Sequence, residues 1–580
     1  MKQTEVAAGV AAPSIVGDVR FGAGSDIFDI ADGTVKGNAS FGAGDNQLKL
    51  SGDAAYTGNA SFGGGNDSVT LAGTSSFRGD VDFGGGADTL SIAGKALFSG
   101  RLSNAQGLAV SVDGGTFDVT GAATIASLSV AGNGVLGVTL DDGAAGTALT
   151  VQGNAGFGEG SKLALKLSSI ENAEGEHIVV TAGSLTGADK LTAETTLLPF
   201  LYKGVLSSTA TQLIVDVSRK SVAELGLNRS EAGAFDAVFE ALTADEAIEG
   251  AFLGITDGEQ FRGQMQQMLP EHEGGVFETL TSGSRALARH LQDPNAPYQD
   301  EGKWGYWVNQ AVWGTSKGLG NTASYDVSGW GISLGAEIET GVGNFGGSVA
   351  FLSGKDSNGS NDNEVSSSQW EGALHWRLRS NGWLANARVS GAPVSLKGTR
   401  VFRAEVDGKA IEKTMRGKWD ATLWSASGSV AHDGRLGGLS FRPTVAVDYY
   451  KLKEDGYQET GGGDALDLNV RGRDSDELAV SGTVALGLDF GGSDQYDGWT
   501  RFEIEGGRRE IVSGTLGTTV ASFKDGTPFT LTPDARTSGW IGRIRGIGGN
   551  SAFQVGAELS AEEQQSHFGW AFRASLRVGL

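Results

Sequence analysis

The chain ends on Phe572-Arg573-Ala574-Ser575-Leu576-Arg577-Val578-Gly579-Leu580, a run that divides cleanly between even and odd positions. Phe572, Ala574, Leu576, Val578 and Leu580 share one face; Arg573, Ser575, Arg577 and Gly579 share the other. A two-residue period with one oily and one wet side describes a strand lying between an apolar and a polar medium. The same pattern recurs upstream. Trp330, Ile332, Leu334, Ala336 and Ile338 oppose Ser333, Glu337 and Glu339, and Trp370, Leu374, Trp376 and Leu378 oppose Glu371, His375, Arg377 and Arg379. About twelve such segments begin near Trp304, Trp330, Phe345, Gln369, Trp383, Leu423, Leu439, Leu478, Trp499, Trp540, Phe553 and Phe568, each near the ten residues that a tilted strand needs to cross a bilayer. Trp and Tyr sit at many strand ends, as interfacial girdles require. Charges on the opposite face, among them Arg377, Arg501, Glu503, Arg543, Arg545 and Glu558, predict a solvated network in a water-filled lumen. A dry core would demand a partner for each of them. A soluble sandwich also alternates, but it turns its charge outward. The pattern predicts a 12-stranded antiparallel transmembrane β-barrel over residues 301–580.

Composition narrows the remainder. The 580 residues carry 45 Lys and Arg against 69 Asp and Glu, a net charge of −24. That acidity argues against nucleic acid as a partner and fits a solvated, secreted surface. There is no cysteine, so disulfides and thiolate metal sites are excluded. Glycine is abundant, 93 residues, without the strict triplet period of a collagen. No apolar run approaches about 18 residues, so no transmembrane helix is predicted. Met1-Lys2-Gln3-Thr4-Glu5 is not followed by the apolar stretch of a signal peptide. A barrel has to be exported, so Met1 reads as a trimmed boundary.

Residues 14–105 carry a repeat. Phe21-Gly22-Ala23-Gly24-Ser25-Asp26, Phe41-Gly42-Ala43-Gly44-Asp45-Asn46, Phe62-Gly63-Gly64-Gly65-Asn66-Asp67 and Phe83-Gly84-Gly85-Gly86-Ala87-Asp88 are successive copies, and their phenylalanines lie 20, 21 and 21 residues apart. That period is the size of one coil of a parallel β-helix, whose stacking superposes equivalent residues. Phe21, Phe41, Phe62 and Phe83 then form an internal ladder, and Asp26, Asn46, Asp67 and Asp88 line one edge. The reading over residues 1–220 is a right-handed parallel β-helix, with a denser apolar β-segment at 197–217 as a cap. The grammar turns helical over 221–300. Ala234, Val238 and Leu242, then Ile248 and Phe252, recur at helical spacing. Gly275–Leu291 makes a further helix of small residues with Arg285, Arg289 and His290. Asp293-Pro294-Asn295-Ala296-Pro297 ends it before the first barrel strand. A helix of small and basic residues abutting an acid-bearing barrel is shaped for its lumen, although an amphipathic surface linker has a similar pattern.

A glycine-rich β-helix, a dense β-segment, a helical linker and a C-terminal barrel, in that order, resemble a classical autotransporter (type V secretion). The resemblance is most specific over residues 220–580. It implies an all-β fold with a pore helix inside the barrel, at Gly275–Leu291, and a β-helical passenger carried to the cell surface of a Gram-negative bacterium. It also implies insertion into outer-membrane lipid by the barrel-assembly machinery with periplasmic chaperones. The last strand would be the insertion signal, through Phe572, Leu576, Val578 and Leu580, although Leu580 stands where Phe or Trp is usual. The Asn-Asn pair at which some relatives cut themselves is absent from Gly275–Leu291, so self-cleavage is not carried over.

No enzyme is expected. Two Gly-x-Ser-x-Gly matches, at Ser316 and Ser333, do not lie between a strand and a helix as a nucleophile elbow must. The six histidines show no metal spacing. Gly63-Gly64-Gly65-Asn66-Asp67 and Gly84-Gly85-Gly86-Ala87-Asp88 look like the calcium nonapeptide of RTX proteins, which would make Asp26, Asp67 and Asp88 calcium ligands. Against that, the motif comes once per coil rather than every nine residues, and Gly with Asp also makes tight turns. No cofactor is otherwise implied. The alternatives are a barrel that anchors a secreted enzyme lying upstream, or a passenger that acts as an adhesin or self-association module. The passenger's ligand is not legible.

Overall fold

The computed structural model describes all residues except 5–10, 141–147, 193–195, 294–301, 359–361, 407, 492–497, 525, 551 and 580. It divides into two compact units: Met1–Gly226 with Glu246–Phe261, and Leu227–Asp245 with Arg262–Leu580.

The first unit is a parallel β-helix of three sheets. Ile27–Ile30, Gln47–Leu50, Ser68–Leu71 and Thr89–Ala93 stack in one sheet; Thr34–Lys36, Ala55–Thr57, Ser76–Arg78 and Leu97–Gly100 in the second; Ala39–Ser40, Ala60–Ser61, Val81–Asp82 and Leu102–Ser103 in the third. Ser68 pairs with Gln47 below and Thr89 above, so one coil is one sequence repeat. Alternate residues turn inward, which buries Val69 and Leu71 while Ser68 and Thr70 face out. The rings of Phe21, Phe41, Phe62 and Phe83 stack with centroids 4.8, 4.6 and 5.7 Å apart. A second ladder of Tyr56, Phe77 and Phe98, at 4.8 and 5.5 Å, runs inside the same coils. Stacked aromatic pairs add to the area that they bury. At the far end parallel stacking gives way to antiparallel pairing. Gly175–Thr186 pairs with Gln212–Arg219, which pairs in turn with Tyr202–Ser208. This hairpin covers the edge that another coil would otherwise extend.

The second unit is a closed barrel of twelve antiparallel strands, each hydrogen-bonded to its neighbours in sequence. We number them β1 (Trp304–Lys317), β2 (Tyr325–Thr340), β3 (Gly343–Asn358), β4 (Asn363–Ser380), β5 (Trp383–Val406), β6 (Lys409–His432), β7 (Leu439–Glu454), β8 (Arg473–Gly491), β9 (Trp499–Ser513), β10 (Gly539–Gly549), β11 (Phe553–Gln564) and β12 (His567–Gly579). β12 closes on β1, with Val308 facing Leu576 and Val312 facing Phe572. Trp330, Leu334, Trp370, Leu374, Trp424, Leu486, Ile504, Trp540 and Ile544 are exposed on the outside, an apolar band that only lipid can cover. Connections on the side of the chain's end, such as that between β2 and β3, are short turns. On the other side the turns after β5 and β11 are short as well, but the connections after β7 and β9 are long and fold into a small sheet of Tyr457–Gln458, Leu468–Val470, Thr519–Phe523 and Phe529–Leu531. Short turns face the periplasm in such barrels, so the long loops mark the outside.

The helices of the chain are α1 (Arg229–Leu242), α2 (Glu246–Leu253), α3 (Gly258–Gln267) and α4 (Gly275–Ala288), the last continued by a short 3-10 turn, Arg289–Gln292. Asn228 and Glu231 form a capping box that fixes the start of α1. α1 packs on Thr519–Phe523 and Phe529–Leu531 of the outer sheet.

Several strands begin earlier than their apolar pattern indicates: β2 at Tyr325 rather than Trp330, β4 at Asn363 rather than Gln369, β8 at Arg473 rather than Leu478, and β6 at Lys409 rather than Leu423. The added residues stand on the side of the long loops. There the outer face meets water, and the inner face is often the apolar one, so the expected phase is inverted.

Candidate functional site

The site is built around α4, which lies in the lumen and turns three different faces to the wall. Val276, Phe277 and Leu280 join the inward side chains Val394 and Leu396 of β5, Trp419 and Leu423 of β6, and Tyr450 and Leu452 of β7 in one buried cluster. Ala286 and Leu287 join Ala311 and Trp313 of β1, Val327 of β2 and Leu352 of β3 in a second. The third face is polar. Spacings of three and four residues put Glu278, Ser282, Arg285 and Arg289 on one stripe.

That stripe meets the charged wall of β8–β12. Arg285 approaches Glu562 at 3.6 Å and Glu278 of its own helix at 3.7 Å. Arg289 Nη1 donates to Glu558 Oε1 at 3.1 Å. Glu558 also holds Arg545, 2.7 Å away, and Arg573, 3.7 Å away. Ser284 donates to Glu371 Oε2 at 2.6 Å. Just beyond the helix, Asp293 accepts from Arg573 Nη1 at 2.9 Å. His290 keeps apart from the carboxylates: its Nδ1 bonds to the Leu287 carbonyl at 2.9 Å, and its ring lies 4.0 Å from that of Trp307. Arg285 and Arg289 are therefore the cations that tie α4 to the wall, and His290 packs.

The lumen departs from the water-filled channel that the charges suggested. Arg377, Arg501, Glu503, Arg545 and Glu558 are buried, with Arg501 at 0% exposure. α4 displaces the solvent, and the charges are accommodated in pairs. Arg377 forks onto Glu337; Arg501 reaches Asp433 at 3.1 Å; Glu503 takes Arg442 at 2.6 Å and Arg545 at 2.8 Å. The inward apolar residues Trp313, Trp419 and Tyr450 were missed by the sequence reading. Their signal was present, because 392–396 reads apolar on the face that is charged lower in the same strand, at Arg388.

On the last strand Phe572, Leu576 and Val578 face the lipid side, and Arg573 and Arg577 face inward; Leu580 lies outside the described residues. Asp67 and Asp88 point into the β-helix and cap backbone. Asp26 N–H donates to Asn46 Oδ1 at 3.0 Å, Asn46 N–H to Asp67 Oδ1 at 2.8 Å, and Asp67 N–H to Asp88 Oδ1 at 2.8 Å. Each side chain thus satisfies the coil before it. Among the described residues no three acidic or histidine side chains gather where one ion could be held.

The autotransporter beta-domain family matches residues 307–562. Similar solved structures include the translocator domain of the autotransporter NalP from Neisseria meningitidis, 14% identical with a TM-score of 0.40, covering 53% of this chain and 98% of that one. The beta domain of the Bordetella autotransporter BrkA is 11% identical with a TM-score of 0.32, covering 48% and 99%. The transport unit of AIDA-I from Escherichia coli is 10% identical with a TM-score of 0.32, covering 53% and 99%. No curated relative matches the chain.

Proposed function

From the match of residues 307–562 to the autotransporter beta-domain family we propose how the barrel and α4 divide the work of display. The barrel anchors the chain in the Gram-negative outer membrane, with the β-helix as the displayed passenger. In our reading α4 stays in the lumen once the passenger has crossed, and Arg285 and Arg289 fasten it. The observation that carries this is the match between three faces of one helix and three sectors of one wall: apolar to β5–β7, apolar and small to β1–β3, cationic to Glu558 and Glu562. A peptide in mere transit needs no such match. The same reading gives Phe572, Leu576 and Val578 the role of an insertion signal read by the barrel-assembly machinery, with periplasmic chaperones holding the chain beforehand. Protease shaving of intact cells tests the reading. Peptides from residues 1–220 should be released while 275–292 and the strands stay protected. Release of 275–292 would show that α4 does not remain in the lumen.

A further inference from the structure

The outer face of β5, β6 and β7 carries a charge distribution that lipid chains do not explain. Trp424 of β6 and Trp370 of β4 are exposed at the upper edge of the apolar band. Above them the outward residues of these three strands are Ser395 and Lys397, then Arg416, Lys418, Asp420 and Thr422, then Lys451 and Lys453. All five cations are exposed, and among the described residues none makes an ion pair. Lys397 and Lys418 stand directly opposite each other in the ladder. Directly opposed residues of one face lie about 5 Å apart between their β-carbons, and like charges in that arrangement are destabilising. Thr399 opposite Arg416 leaves a third cation beside the pair. Asp474 and Asp476 of β8 oppose Lys453 and Lys451 and bound the patch on one side; Ser366 opposes Lys397 on the other. On the flanking strands β2–β4 and β9 the outward rim charges are acidic or paired: Asp326 on β2, Lys355 with Glu364 at 2.5 Å, and Arg508 with Glu510.

Depth identifies the occupant. Lys451 is level with Trp424 in the register and Lys453 with Thr422, whereas Lys418 stands six residues beyond Trp424. At about 3.4 Å per residue and a tilt near 40°, the cations rise from the girdle to about 15 Å above it. This is the headgroup layer, not the hydrocarbon. We propose that this face is a docking site for a phosphate-bearing glycolipid of the outer leaflet. Its acyl chains would lie on the apolar band beside Trp424, and its anionic groups would sit among Lys397, Arg416, Lys418, Lys451 and Lys453. A lipid with negative groups at several depths matches a stripe of cations at several depths. It also relieves the Lys397–Lys418 repulsion; the neighbouring outward carboxylate, Asp420, stands opposite Ser395 and accepts from its hydroxyl at 3.0 Å, and makes no ion pair with either lysine.

The proposal rests on the membrane placement of the barrel, which heat-modifiable migration on gels reports separately. The test is native mass spectrometry of the full chain, folded in detergent and mixed with bis-phosphorylated lipid A. The intact protein should retain the lipid, and Lys397→Gln/Arg416→Gln/Lys418→Gln should retain at least about tenfold less, since each basic residue at a charged lipid surface contributes about fivefold. The double variant Lys397→Arg/Lys418→Arg should retain it undiminished. Four results would each overturn the proposal: equal retention by the triple variant, equal retention of lipid A lacking its phosphates, displacement by millimolar inorganic phosphate, or equal retention of phosphatidylglycerol. If the triple variant migrates as an unfolded chain, Lys418→Gln alone is read instead, with about a fivefold loss expected; no loss there would also overturn it.

Discussion

Gly283 of α4 and Trp313 of β1 are packed without room for a methyl group between them: a β-carbon at 283 would fall 2.5 Å from the indole ring. The ring has nowhere to retreat, because a β-carbon at Gly329, on its other side, would meet it at 2.3 Å. Gly283→Val should therefore cost about 1–3 kcal/mol through overpacking and push α4 off the β1–β3 wall. Conductance across a planar bilayer checks this. The intact protein should stay mostly closed and the variant should pass current. A variant that is equally closed and equally stable would refute the tight fit.

Glu558 is the counter-charge shared by Arg289 of the helical segment and Arg545 and Arg573 of the wall. Glu558→Gln leaves three buried guanidinium groups short of one carboxylate. Removing one partner of a buried pair costs about 3–5 kcal/mol, more than the pair itself is worth. The temperature at which the folded band disappears from gels should fall in step. Adding Arg289→Gln should restore part of the loss, with a coupling of about 0.5–3 kcal/mol in the double-mutant cycle.

The barrel and the β-helix were legible because each repeats one physical rule many times. Alternation at Phe572–Leu580 is forced by lipid on one side, and the Phe21–Phe83 spacing is forced by stacking. What was not legible depended on which medium touches each face at a given height. Lys409–Thr422 of β6 was unread because, above the membrane, Arg416 and Lys418 point to water while Met415 and Trp419 point inward. The charges at Arg501 and Glu503 were read correctly as inward, but their hydration was misjudged. The helix Gly275–Leu291 was read into the lumen, but the sequence did not say how far its packing on Trp313, Trp419 and Tyr450 would exclude water from the charged wall. The like-charged pair Lys397–Lys418 depends on register across a hairpin, which the alternation leaves free.

Leu576 of β12 faces lipid and its neighbour Arg577 faces the lumen. A charge moved onto the lipid face of a barrel strand costs about 2–4 kcal/mol near the midplane. Leu576→Arg should therefore lower the folded fraction in phospholipid vesicles, whereas Ser575→Arg, on the opposite face, should lower it less. Gel migration of unheated samples gives the two yields. Equal losses would argue that position near the chain's end, not the facing medium, governs insertion.

The stacked carboxyls of the β-helix give a pH dependence of definite sign. Asp67 and Asp88 are 1% exposed, and the Oδ2 of each is buried without a partner. Burial pushes both carboxyls above the ordinary carboxylate range, against the lowering effect of the backbone donors that they accept from. In the unfolded chain they titrate near about 3.9. The folded coil therefore binds the proton more readily, and its added stability is fully present below the unfolded value and lost as pH rises through the folded one. Protection of the amides in coils 46–88, corrected for intrinsic exchange, should grow as pH falls from neutrality into mild acid. Asn46 shows what a neutral side chain does at this position: its Nδ2 donates to the Gly44 carbonyl at 2.8 Å while its Oδ1 caps the coil before. Asp67→Asn/Asp88→Asn should gain on the order of 1 kcal/mol per buried oxygen relieved and should flatten the pH profile. Protection that instead falls on mild acidification would mean that these carboxylates are stabilised in their charged form, as capping alone would predict.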